Sequence, residues 1–174
     1  EQAVNALADR LREQGISLDR RCGAVSPVVL ADEVQVEQAV FNILKNAVEA
    51  MPDGGTLIVE TGIEAEGRWV RIAIEDSGHG IPEGDRDKVF AAFYTTKTHG
   101  TGLGLSIVEG VLKNHGGSIS FEQPDHQGTR VVVRLPAPDN SSSRRSSRQG
   151  ESMQAQTLHP GIPGTYSRPF RTGT

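Results

Sequence analysis

The chain has 174 residues, 36% of them hydrophobic and only 5% aromatic, which is enough for one domain with a real core and a possible tail. A net charge of −4 gives no electrostatic reason for generic nucleic-acid binding, and the single Cys22 excludes an internal disulfide and a thiolate zinc cluster. No apolar run reaches the roughly 18 residues that a membrane span needs, and the opening stretch EQAVNALADRLREQ reads as a polar helix, not as a signal peptide.

In chain order, residues 1–14 have Val4, Leu7, Ala8 and Leu11 at helical spacing. GISLDRRC alternates and reads as a strand, and PVVLAD reads as a second. Residues 33–51 form the strongest helix pattern, with Val36, Ala39, Val40, Ile43, Leu44, Ala47 and Val48 on one wide stripe. PDGG stops it and turns the chain. TLIVETGI and RWVRIAIED follow as a hairpin joined by EAEG. Residues 77–101 are loop-rich, with a short helical piece expected near 85–93. Residues 103–114 form a second apolar helix, and SISFEQ with TRVVVRLP forms a last hairpin. From Ala137 onward aliphatic residues and periodicity vanish, so 137–174 reads as a disordered tail or an added extension. That tail carries about +3, which leaves about −7 on the body. Mixed helices and hairpins, without repeated βαβ units, predict an α/β (α+β) two-layer sandwich over 1–136. Its sheet is mixed and its helices cover one face.

Four stretches carry chemistry. In GTGLGLSIV, Gly100, Gly102 and Gly104 stand at alternate positions before an apolar helix. The stretch matches neither a Walker loop, which needs GxxxxGK[ST], nor a GxGxxG dinucleotide fingerprint. It is either a flexible loop-to-helix junction or an anion site at a helix N-terminus. In FNILKNAVEAM, Asn42 and Asn46 are four apart and share a helix face. They are either boundary residues or oxygen ligands for a hard cation such as Mg²⁺. In EDSGHGIP, Asp76 ends an apolar strand before Gly78 and Gly80. This is either a turn or a carboxylate placed for an exocyclic amine, with glycines that let a ligand lie against backbone. In VFAAFYTTK, Phe90 and Phe93 have helical spacing and could pin a loop to the body. Lys97 then follows in a polar stretch suited to a phosphate tail.

The order and spacing of these motifs resemble the catalytic ATP-binding domain of sensor histidine kinases, within the Bergerat-fold (GHKL) ATPase superfamily. FNILKNAVEA looks like the N box, DSGHGIP the first glycine box, FAAFYTTK the F box and GTGLGLSIV the second glycine box. NHGGSISFEQ and GTRVVVRLP look like the closing hairpin. NAVEAM and FYTTK further resemble the nitrogen-regulation and dicarboxylate-sensing kinases. The resemblance implies a Bergerat fold with a mostly antiparallel sheet and an ATP lid over about 81–99. ATP and Mg²⁺ are the implied cofactors. Asp76 would contact the adenine amino group, and Asn46 would ligate Mg²⁺ with Asn42 beside it. Gly78, Gly80 and Ile81 would border the adenine and start the lid. Thr96, Lys97, Gly100, Thr101, Gly102, Leu103 and Gly104 would serve the phosphates and the far hinge. The implied reaction transfers the γ-phosphoryl group to a histidine, in two-component signalling, with a response regulator downstream.

Two positions depart from that pattern. Many members carry an acidic residue where Gln38 stands, and a Gln can orient a histidine but cannot take its proton. Many carry Lys where Glu49 stands, which gives Lys97 more weight. None of His79, His99, His115, His126 and His159 lies in a long helix beside an acidic residue, as a phosphoacceptor would. The chain therefore resembles a piece of a larger cytoplasmic or membrane-anchored kinase, cut after its dimerisation helices. The lone Cys22 fits a reducing cytoplasm, and neither nucleic acid nor membrane insertion is expected for this piece. A serine kinase of the anti-sigma type and a non-catalytic nucleotide-binding module remain as alternatives.

Overall fold

Along the last strand Val131, Val133 and Leu135 alternate with Arg130 and Arg134, and this alternation divides the molecule into an apolar side and a charged side. The computed structural model describes residues 2–23, 27–97 and 100–138, so the tail expected from 139 onward lies outside the described residues. Five strands form one sheet: β1 (Ile16–Cys22), β2 (Gly55–Glu64), β3 (Trp69–Asp76), β4 (Ser118–Glu122) and β5 (Thr129–Pro136). Their spatial order is β1-β2-β3-β5-β4; β1 and β2 run parallel and every other pair is antiparallel. Both hairpins expected from the sequence are present.

Four helices cover the apolar face: α1 (Gln2–Asn5), α2 (Ala8–Glu13), α3 (Glu33–Glu49) and α4 (Gly104–Asn114). Ile43, Leu44, Val48, Val108 and Leu112 from the helices meet Leu57, Ile74, Val131, Val133 and Leu135 from the sheet in one core. This is the two-layer sandwich that the alternation of the strands and the stripe on α3 predict.

Three local expectations differ. The single helix expected over 1–14 is two short ones, broken at 6–7, with Val4, Leu7 and Leu11 still buried on both sides of the break. PVVLAD is not a strand: Val29 packs on the core while Val28 and Leu30 stay exposed, because the run alternates but has no neighbouring strand to pair with. The helical piece expected near 85–93 is a 3₁₀ turn at Glu83–Asp85 followed by isolated turns. Gly84 lowers helix propensity there, and Phe93 takes a left-handed backbone (φ 67°) that no helix continues through.

The opposite face of the sheet is built from ion pairs between strands. Arg130 reaches Glu60 and Glu75, Arg71 reaches Glu60, Glu64 and Glu122, and Arg134 reaches Glu64 at 2.8 Å. Ala73 and Val132 oppose each other in the midst of these residues and are fully buried, which is what the aliphatic stems of flanking arginines achieve.

Candidate nucleotide site

The site starts from α3. Asp32 caps it, its carboxylate accepting the Gln35 amide at 3.0 Å, and the cap holds the carboxyl below its usual pKa range. The helix then runs unbroken to Glu49, and its pitch sets Asn42, Lys45, Asn46 and Glu49 along one side of a cleft of about 640 Å³. That volume suits a ligand of nucleotide size. Ile74 and Val131 line the cleft from the sheet, with Asp76 beside them.

Asp76 is the last residue of β3 and is 4% exposed. Burial raises its pKa, against the opposing pull of the Gly78 and Thr129 amides and of nearby His79 and His126. The Gly78 N–H donates to Asp76 Oδ1 at 3.0 Å, which turns the chain sharply after the strand. A Cβ on Gly78 would stand 2.4 Å from the Ala50 carbonyl oxygen, and the His79 amide donates to that same oxygen. The glycine is thus required where the turn packs against the end of α3. Gly78 does not line the cleft; Gly80 and Ile81 do.

At the other end, the Phe93 amide donates to the Gly102 carbonyl at 2.9 Å. Gly102 is left-handed (φ 65°), and a Cβ there would strike the Phe93 backbone at 2.4 Å. The clasp is therefore made by backbone. The Phe93 side chain is 76% exposed and pins nothing, contrary to the expectation from its spacing. Phe90 does the pinning, its ring 5.0 Å from that of Phe121 on β4. Tyr94 lines the cleft, and the neighbouring Asp85 carboxylate raises the pKa of its hydroxyl.

Lys97, Thr96, Gly100, Thr101, Gly102 and Gly104 all border the cleft. Lys97 Nζ lies 3.0 Å from Asn46 Oδ1 and 2.5 Å from Glu49 Oε2. Gly104 begins α4 close to the Asn46 side chain, and no side chain caps that helix. The first amides of a helix have no partner within the helix itself and suit an anion. Gln38 is exposed one turn before Asn42 and does not line the cleft, nor does Leu103. Residues 98 and 99, part of the stretch expected as a lid, lie outside the described residues. Sequence reasoning missed Thr129, which opposes Asp76 in the sheet register, is buried and lines the cleft. Only the pairing of β3 with β5 brings it there.

This mixed sheet, with its helices on one face and its cleft between the two layers, is the architecture of a histidine kinase catalytic domain. The catalytic domain of histidine kinase ThkA superposes with a TM-score of 0.72 at 30% identity, over 78% of this chain and 88% of that one. The chain belongs to the histidine kinase-, DNA gyrase B-, and HSP90-like ATPase family, whose model matches residues 31–139. Sporulation kinase B of Bacillus subtilis (strain 168) is 36% identical over 110 residues, which are 63% of this chain and 26% of that protein. The chain thus spans about a quarter of that relative's length. Full-length ShkA in complex with AMPPNP matches with a TM-score of 0.68 at 28% identity, covering 78% of this chain and 29% of that one. A ThkA complex with the response regulator TrrA matches with a TM-score of 0.68 at 26% identity, covering 80% of this chain and 40% of that one. Among the described residues, no helix is long and apolar enough to cross a membrane.

Proposed function

We propose that this chain binds Mg²⁺-ATP and donates its γ-phosphoryl group to a histidine on a dimerisation domain, as the catalytic part of a two-component sensor kinase. The observation that carries this reading is Asp76, a buried carboxylate in a nucleotide-sized cleft whose α3 wall also holds Asn46 and Glu49 beside the Lys97 ammonium. Asp76 would accept the exocyclic N–H of adenine, with Gly80 and Ile81 against the base. Asn42 would stand beside Asn46 on the helix. Lys97, Thr96, Thr101 and the amides from Gly100 to Gly104 would meet the phosphates. Gln38, outside the cleft on the same helix, would orient the incoming histidine.

The donor set fits a hard cation. Asn46 Oδ1 already faces a positive charge, the Lys97 ammonium, and neutral or anionic oxygens are the ligands that Mg²⁺ prefers. When bound, the metal would neutralise phosphate charge as the bond to the leaving ADP oxygen breaks and the phosphorus–nitrogen bond to histidine forms. A response regulator would then take the phosphoryl group; the ThkA–TrrA complex supports a partner of that class. The nucleotide-binding unit is proposed to end near residue 136, and the piece to act in the cytoplasm.

The test supplies a separate helical dimerisation domain bearing a phosphoacceptor histidine, together with Mg²⁺-ATP. Acid-labile, base-stable phosphate on that domain is the expected result. Acid-stable phosphoserine, or no transfer despite tight ATP binding, overturns the reading.

A further inference from the structure

Glu49 stands at a place that electrostatics disfavours. It is the last residue of α3, where the helix dipole repels a carboxylate, and the last turn of α3 carries no basic residue. Two lysines offset this. Lys45, one turn earlier, lies 3.8 Å away, and Lys97 reaches across the cleft to 2.5 Å. The same Lys97 Nζ donates to Asn46 Oδ1 at 3.0 Å. The ammonium is thus divided between a neutral amide oxygen and a full carboxylate, both on α3. A cation held this way is not free to meet a phosphate.

We infer that Glu49 is a specificity-determining residue: it competes with the nucleotide's phosphates for Lys97 and so lowers the affinity for polyphosphate nucleotides without touching the adenosine end. Binding of a nucleoside di- or triphosphate is an exchange in which phosphate oxygens replace the Glu49 carboxylate as the partner of Lys97. Adenosine carries no phosphate to replace the Glu49 carboxylate at Lys97, so it takes no part in this exchange. The inference rests on the proposed placement of the phosphates beside Asn46 and Lys97.

A double-mutant cycle separates the possibilities. ATP, ADP and adenosine are titrated by calorimetry, with NMR shifts for weak binders, into the unaltered chain, Glu49→Gln, Lys97→Met and the double variant. Glu49→Gln is expected to bind ATP and ADP about two- to fivefold more tightly, the scale of one half-exposed ion pair. Adenosine affinity is expected to change less than either, and a cooperative thermal melt shows that the variant is folded. The gain should vanish in the Lys97→Met background. Equal or weaker ATP binding by Glu49→Gln overturns the inference, and so does a gain that persists without Lys97. If the unaltered chain binds none of the three ligands, the nucleotide reading itself fails; if it binds them and only the cycle is flat, that reading stands and the role of Glu49 does not.

Discussion

Burial raises the Asp76 carboxyl above its ordinary pKa of 3.8, so the folded chain binds that proton more tightly than the unfolded chain. The sign follows from linkage: stability falls as pH rises from the unfolded value through the higher folded one, and the deficit persists at neutral pH. Asp76→Asn removes that cost and keeps an acceptor for the Gly78 amide. Calorimetric unfolding should therefore give an equal or higher Tm for this variant. Its affinity for adenine nucleotides should drop at least tenfold, because a charge-assisted hydrogen bond contributes about 1.5–3 kcal/mol. A Tm several degrees lower would show instead that the carboxylate holds the fold together. Asn46→Ala should leave adenosine binding unaltered and abolish the Mg²⁺ dependence of ATP binding; undiminished dependence would remove Asn46 from the metal site. Both residues were legible in the sequence, since each is a polar residue set in an apolar element. The depth of Asp76, and the pairing of Lys97 with Glu49, were not.

Elements are joined at this site by backbone atoms more than by side chains. Gly78 rests on the Ala50 carbonyl and Gly102 on the backbone of Phe93. Gly78→Ala must push the β3 turn away from α3, at a cost of about 1–3 kcal/mol, the range of overpacking elsewhere. Thermal melts should show that loss together with weaker nucleotide binding; a neutral result would mean the turn has slack. His115, at the end of α4, ties two helices together. Its Nε2 accepts the Asp32 amide at 3.1 Å while Nδ1–H donates to the Val111 carbonyl at 2.8 Å. His115→Ala should lower Tm, and amide exchange should rise first at the α3 cap. The glycine boxes were visible in the sequence as density of glycine. Their partners were not, because a glycine's need is set by whatever approaches it, and here Ala50 and Phe93 approach through the fold. Phe90 and Phe93 make the same point: their spacing is alike, yet only Phe90 finds a ring to pack on.

At the scale of the molecule, the charged face of the sheet ties stability to acid. Partial burial alone would raise the Glu60 carboxyl, but Arg130, Arg21 and Arg71 outweigh it and hold Glu60 below its ordinary 4.5. A depressed carboxyl contributes stability above its unfolded pKa and loses it as pH falls through the folded one. Tm should therefore drop below about pH 4.5, and Glu60→Gln should flatten that acid limb while lowering Tm at neutral pH. Because the pairs are partly exposed, moderate salt should reproduce part of the loss. Truncation after Pro138 should leave ATP affinity intact, as every described residue that lines the cleft precedes it.

The sequence by itself determined the two-layer class, four of the five strands' partners in hairpins, the two long helices and most residues that border the cleft. Period and motif suffice there, because alternation and helical stripes are local consequences of burial on one face. Only the tertiary structure decided which candidates meet. It paired Thr129 with Asp76 through the β3–β5 register, left PVVLAD without a neighbour, turned the F-box region away from helix and set Lys97 against Glu49. These are contacts between residues far apart in the chain, and such contacts depend on how strands register and helices cross, which no local pattern encodes.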